Sequence, residues 1–205
     1  MFRTACSLAA LAAALIVAPT AMAQPAAPAV AVARSEDARL AEFLQAAFLE
    51  SARLSPETLT QLGMKDRYGE LGDYTEAGQT QALAVAEAQL ARLKRDINRA
   101  KLSPGSQLSY DLFERSIATQ RMFVKWYWQA YAVSSTGSAL DGLPVLLVNA
   151  HQVSSVAEAQ AYVARLNAVE RVAKEVSDDI DQRTAKGFLP PAFVFDRVIP
   201  DARHQ

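Results

Sequence analysis

The chain has 205 residues, 51% of them hydrophobic, and its 21 Lys and Arg nearly balance 22 Asp and Glu, giving a formal net charge of −1. A chain so close to neutral has no electrostatic reason to seek nucleic acid or an anionic lipid surface. Its single cysteine, Cys6, falls in the leader described next, so the rest of the chain has no disulfide, thiol nucleophile or thiolate metal site.

Residues 1–23 have the order of a secretory signal peptide. Arg3 precedes an apolar stretch from Leu8 to Ala18, and Ala21-Met22-Ala23 then predicts cleavage before Gln24. The stretch is short of the ~20 apolar residues that span a bilayer, so the protein is expected to be exported, to the periplasm or beyond, with no membrane anchor after cleavage. Residues 24–34 are rich in Pro and Ala and read as a flexible lead-in. Residues 35–205 then form one helical domain, long enough for a sizeable core.

From Ser35 the apolar spacing is helical. Leu40, Phe43, Leu44, Ala47 and Phe48 make one face. Ser55-Pro56-Glu57 is a helix start, with a serine cap, a proline whose missing N–H costs nothing there, and an acid facing the helix dipole. That short helix should end near Gly63, before an irregular loop through Thr75. Thr75 caps a long helix with Leu83, Ala86, Leu90, Leu93 and Ile97 on its face.

Ser103-Pro104 repeats the start signal. It predicts a helix through Leu108, Leu112, Phe113 and Ile117 into the aromatic segment 122–131. Gly137, Gly142 and Pro144 break it. The run Val145–Val148 suits a buried strand or a helical turn, and its helical flanks favour the turn. Ser155 and Glu158 form a capping box that opens a helix with Tyr162, Leu166, Val169 and Ala173 inward, closing at Gly187. The fold class is all-α, a multi-helix bundle.

No residue is singled out as catalytic or as a metal ligand. Beyond the leader the histidines are His151 and His204, with no H-x-x-x-H spacing, and His151 reads as a satisfied or exposed side chain. Asp178, Asp179 and Asp181 read as a solvated helix face rather than a calcium loop. Within the aromatic segment, helical spacing puts Phe123, Tyr127 and Tyr131 on one stripe with Trp126 beside it. Core packing is its first expectation. Trp126, Tyr127 and Tyr131 are the candidates for a substrate-cleft wall, because flat apolar rings with polar tips suit a ligand.

Three stretches, in order, resemble a bacterial family of exported proteins, domain of unknown function 885. They are "LSPETLTQLGMKDRYGELGDYT", "LSPGSQLSYDLFERSI", and "GLPVLLVNAHQVSSVAEAQAYVARLNAV" running into "AKGFLPPAFVFDRVI". The resemblance covers about residues 36–200 and implies a longer, mainly helical protein similar to zinc metallopeptidases. Its H-E-x-x-P-G-H motif would hold zinc between two histidines one turn apart, with the glutamate activating water. No position of this sequence matches that motif, so no zinc ligand carries over and no cofactor is expected in this chain. The resemblance therefore implies an incomplete, non-catalytic N-terminal portion, which lines a substrate cleft. The alternative is a free-standing periplasmic helical binding module. On the first view, the apolar face of Phe193, Val194, Val198 and Ile199 meets the missing C-terminal half or, without it, another copy of the chain.

Overall fold

In the computed structural model, residues 35–134, 137, 138 and 140–204 are described. The expected signal peptide and lead-in lie outside them. Local capping explains where most elements begin. Helix α1 (Glu36–Ala52) is capped by Ser35, whose hydroxyl accepts from the Ala38 N–H. Helix α2 (Pro56–Gln61) is capped by Ser55 and α3 (Glu76–Asp96) by Thr75, each with its side chain on the N–H three residues on. Ser103 does the same for α4 (Pro104–Lys125). A two-rung hairpin of β1 (Val133–Ser134) and β2 (Gly137–Ser138) follows.

Helix α5 (Gly142–Val145) runs into a π-turn over 146–150, so Val145–Val148 is helical, as its flanks suggest. Ser155 caps the long helix α6 (Val156–Ala185) through the Glu158 N–H, while the Glu158 carboxylate reaches one residue past the predicted box, to the N–H and hydroxyl of Ser154. Gly63 and Gly187 close α2 and α6 at φ 75° and 83°, left-handed values that glycine adopts without Cβ strain. Helix α7 (Ala192–His204) follows the double proline. The all-α expectation holds: seven α-helices and one minimal hairpin make up the regular structure among the described residues, besides short 3₁₀ and π turns.

Two apolar cores form. In the first, Leu40 of α1, Leu90 and Leu93 of α3, and Tyr110 and Ile117 of α4 pack together, with Phe43 edge-on to Phe113 at 5.7 Å. Buried Gln89 ties α3 to α1 by donating to the Ala47 carbonyl and the Ser51 hydroxyl. In the second, Leu143 and Leu146 meet Val172 and Val176 of α6 together with Leu71 of the loop after α2.

Several expected inward positions are not inward. Phe48 is half exposed, Leu108 and Leu112 point to solvent, and the α4 face is instead Tyr110, Phe113 and Ile117. On α6 it is Arg165, not Leu166, that is buried. In both helices the rows are adjacent, and the row chosen is the one whose neighbours lie far away in sequence. Among the described residues, no helix is long and apolar enough to cross a membrane.

Candidate functional site

The loop from Gly63 to Thr75 has almost no regular structure, and α6 satisfies much of its backbone. Arg165 Nε donates to the Glu70 carbonyl at 2.9 Å. Arg171 Nη2 donates to the Leu71 and Gly72 carbonyls at 3.0 Å each, and the Tyr74 N–H donates to Glu175 at 3.3 Å. So pinned, the loop faces α2, the start of α3, the end of α4 and α6 across a cavity of about 700 Å³.

Two tyrosine–carboxylate pairs stand in its wall. Tyr74 donates its hydroxyl to Glu57 Oε1 at 3.1 Å, and Tyr127 donates to Asp179 Oδ1 at 2.9 Å. Burial, then the adjacent carboxylate, holds the Tyr74 hydroxyl well above its ordinary range and pushes Tyr127 up to about 12. Both therefore stay neutral donors across the working pH range. Efficient proton transfer needs a group that titrates near that pH, so neither tyrosine suits that task; each hydroxyl proton is committed to its carboxylate, which leaves the oxygen as a fixed acceptor.

Arg183 explains where the aromatic segment turns. Buried to 6% exposure, it donates to Asp179 at 2.6 Å and to the carbonyls of Tyr127 and Ala130, and its guanidinium lies 4.5 Å from the Tyr127 ring centre. Those carbonyls belong to a chain that has already left the α-helix: α4 stops at Lys125 and a 3₁₀ turn covers Tyr127–Gln129. The continuous helical stripe of Phe123, Tyr127 and Tyr131 is thus broken. Tyr127 and Tyr131 line the cavity, whereas Trp126 lines a separate shallow depression with Met122 and Phe123. Core packing of this segment is also overturned, since Phe123 is 73% exposed and Trp126 and Tyr131 about half exposed. Asp179 departs from the solvated-face expectation through its bonds to Tyr127 and Arg183, while Asp178 pairs with Lys174 on the surface.

Behind the loop lies a polar centre that hydropathy could not show. Arg165, fully buried, donates to the Pro56 carbonyl and Thr60 hydroxyl through Nη2 and to His151 Nδ1 through Nη1. Arginine can only donate, so Nδ1 is the acceptor, and the ring proton sits on Nε2, facing the Glu158 carbonyl at 3.2 Å. The imidazole stacks on Tyr68 at 4.0 Å and meets Tyr162 edge-on. His151 is thus the satisfied histidine its sequence context suggests.

Burial, and then the Arg165 charge, pull His151 below its ordinary value of 6.5. The unfolded chain therefore takes up this proton first. Stability should be flat above pH 6.5 and should fall as pH drops from there toward the lower folded value, well before most carboxylates titrate. Urea unfolding as a function of pH measures this fall, and His151→Gln should flatten it. An unchanged slope in the variant would assign the fall elsewhere.

Zinc does not fit these residues. Among the described residues no three His, Cys, Asp or Glu side chains cluster as a metal would require, and both ring nitrogens of His151 are engaged, one by a cation.

On the tail helix Val194 is buried and Val198 half-buried, while Phe193 and Ile199 are exposed. No curated protein and no solved structure matches the chain. A family model described as a bacterial protein of unknown function, DUF885, matches residues 56–205, which include α2, the pinned loop, the cavity wall contributed by α6, and α7. The match spans well over half of the sequence, and the chain belongs to the DUF885 family.

Proposed function

We propose that this chain is the non-catalytic, substrate-binding helical portion of an exported hydrolase of the peptidase type. The cavity between the pinned loop and α6 would be part of the substrate cleft. The observation that carries the proposal is that cavity, of about 700 Å³, with aromatic rings and fixed hydroxyl and carboxylate acceptors in its wall, the composition of a site that holds an amide-rich ligand by shape and by its N–H groups. The resemblance to metallopeptidases supports the reaction class, and the leader supports export. The test is binding of short peptides to the purified chain by calorimetry, alongside an assay for their cleavage. Binding without cleavage is expected, weakened by Tyr127→Phe. Cleavage by the chain alone, or no binding of any peptide, would overturn the proposal.

A second reading, a free-standing periplasmic binding module, is favoured by one feature: α2, α3, α6, the loop after α2 and the turn after α4 all contribute residues to the cavity wall. The two readings differ at the surface. Met122, Phe123 and Trp126 on one side, and Phe193, Phe195 and Ile199 on α7, are exposed apolar side chains of the sort that soluble monomers seldom cluster. As the portion of a larger assembly, the isolated chain should self-associate. The double change Phe123→Gln and Phe193→Gln should then restore a monomer in analytical ultracentrifugation without lowering the melting temperature. A monomeric parent would favour the module.

A further inference from the structure

The charges in the cavity wall do not cancel locally. Asp179 is ion-paired with Arg183, and Asp73 is taken up by the N–H and hydroxyl of Thr75. Arg67 is committed to Glu70 and to the Arg53 carbonyl. Glu57 is different. It accepts from the Gly72 N–H at 2.8 Å and the Tyr74 hydroxyl at 3.1 Å on Oε1, and from the Ser55 hydroxyl at 3.2 Å on Oε2. All three donors are neutral, and no Lys or Arg among the described residues forms an ion pair with it. A carboxylate has about four acceptor sites, so Oε2 keeps room for one more donor.

We infer that the cavity binds a positively charged amine or guanidinium, with Glu57 as its counter-charge and the rings of Tyr74 and Tyr131 beside it. This rests on the peptide-binding reading above and specifies the substrate: a peptide with a basic side chain or a free amino terminus. Each element has a physical role. A half-buried carboxylate in no contact ion pair, which feels the Arg165 charge only through space, gains most from a donor that carries charge, because the charge-assisted bond is the stronger kind. Aromatic faces attract a partly desolvated cation through the ring quadrupole. The wall's own cations cannot compete for Glu57, since their donors are held by Asp179, Glu70 and backbone carbonyls.

The test compares three probes by calorimetry on the full chain: Nα-acetyl-lysine methylamide, norleucine methylamide with a free α-amine, and Nα-acetyl-norleucine methylamide. At least one cationic probe should bind about tenfold or more tighter than the neutral one, and added salt should narrow the gap. Whether the first or the second leads assigns the cation to a side chain or to an amino terminus. Glu57→Gln should abolish the preference. Because that change also touches the α2 cap and the loop, Tyr131→Ala, at a half-exposed position, serves as the second variant and should weaken the cationic probe with the melting temperature kept. Equal binding of all three probes overturns the cation inference and leaves peptide binding standing. Binding of none overturns both.

Discussion

Replacing Arg165 with methionine is expected to cost at least about 3 kcal/mol of folding stability, because a buried partner is removed and the groups it satisfied are left bare. Those groups come from four places in the chain: the Pro56 carbonyl, the Thr60 hydroxyl, the Glu70 carbonyl and His151 Nδ1. Methionine keeps the apolar stem and the volume, so a cavity is not the cause. Urea unfolding measures the loss. The same variant should free the loop before α3, seen as faster amide exchange from Tyr68 to Gly72. A loss below about 1 kcal/mol, ordinary for a surface change, would mean that Arg165 does not organise this centre.

Arg183→Leu should produce the second large effect, about 2–3 kcal/mol, from a buried ion pair broken on one side and two carbonyls left without a donor. Its diagnostic consequence is local. Arg183 fixes the turn that places Tyr127 and Tyr131 in the cavity, so peptide affinity should fall with stability. In Lys174→Leu, which removes only a surface pair with Asp178, neither should change. Thermal melts paired with calorimetry would show both. Intact peptide binding in a destabilised Arg183→Leu protein would detach this turn from the cleft.

What the sequence made legible follows the range of the interactions concerned. Caps at Ser55, Thr75, Ser103 and Ser155 were readable because the donor and acceptor lie three residues apart. The glycines that end α2 and α6 were readable because a left-handed φ is a local demand. Faces were less secure. On α4 two apolar rows compete, and spacing alone favours Leu108 and Leu112, although α1 and α3 cover the row with Tyr110 and Ile117. On α6 hydropathy chooses Leu166 over Arg165, because the acceptors that make Arg165 an inside residue sit about a hundred residues earlier.

The candidate site divides in the same way. Aromatic composition pointed to Tyr127 and Tyr131, and both line the cavity. It could not separate Trp126 from them, since the break in α4 at Lys125 depends on carbonyls that a distant Arg183 holds. Glu57 was visible only as a helix-start acid. Its place in the wall depends on Gly72 and Tyr74, which the loop brings back over α2. A serine-capped acid followed by a Gly-x-Tyr loop is the only local hint of that pairing.

The most direct test of the cavity as the binding site is photo-crosslinking. A short peptide carrying benzoylphenylalanine beside a lysine would be irradiated with the purified chain, and the adducts mapped by mass spectrometry. Labelling confined to Tyr74, Gln79, Tyr127 and Tyr131, and suppressed by unlabelled peptide, is the predicted result. Labelling concentrated instead on Met122, Phe123 and Trp126 or on α7, with the cavity residues untouched, would contradict it.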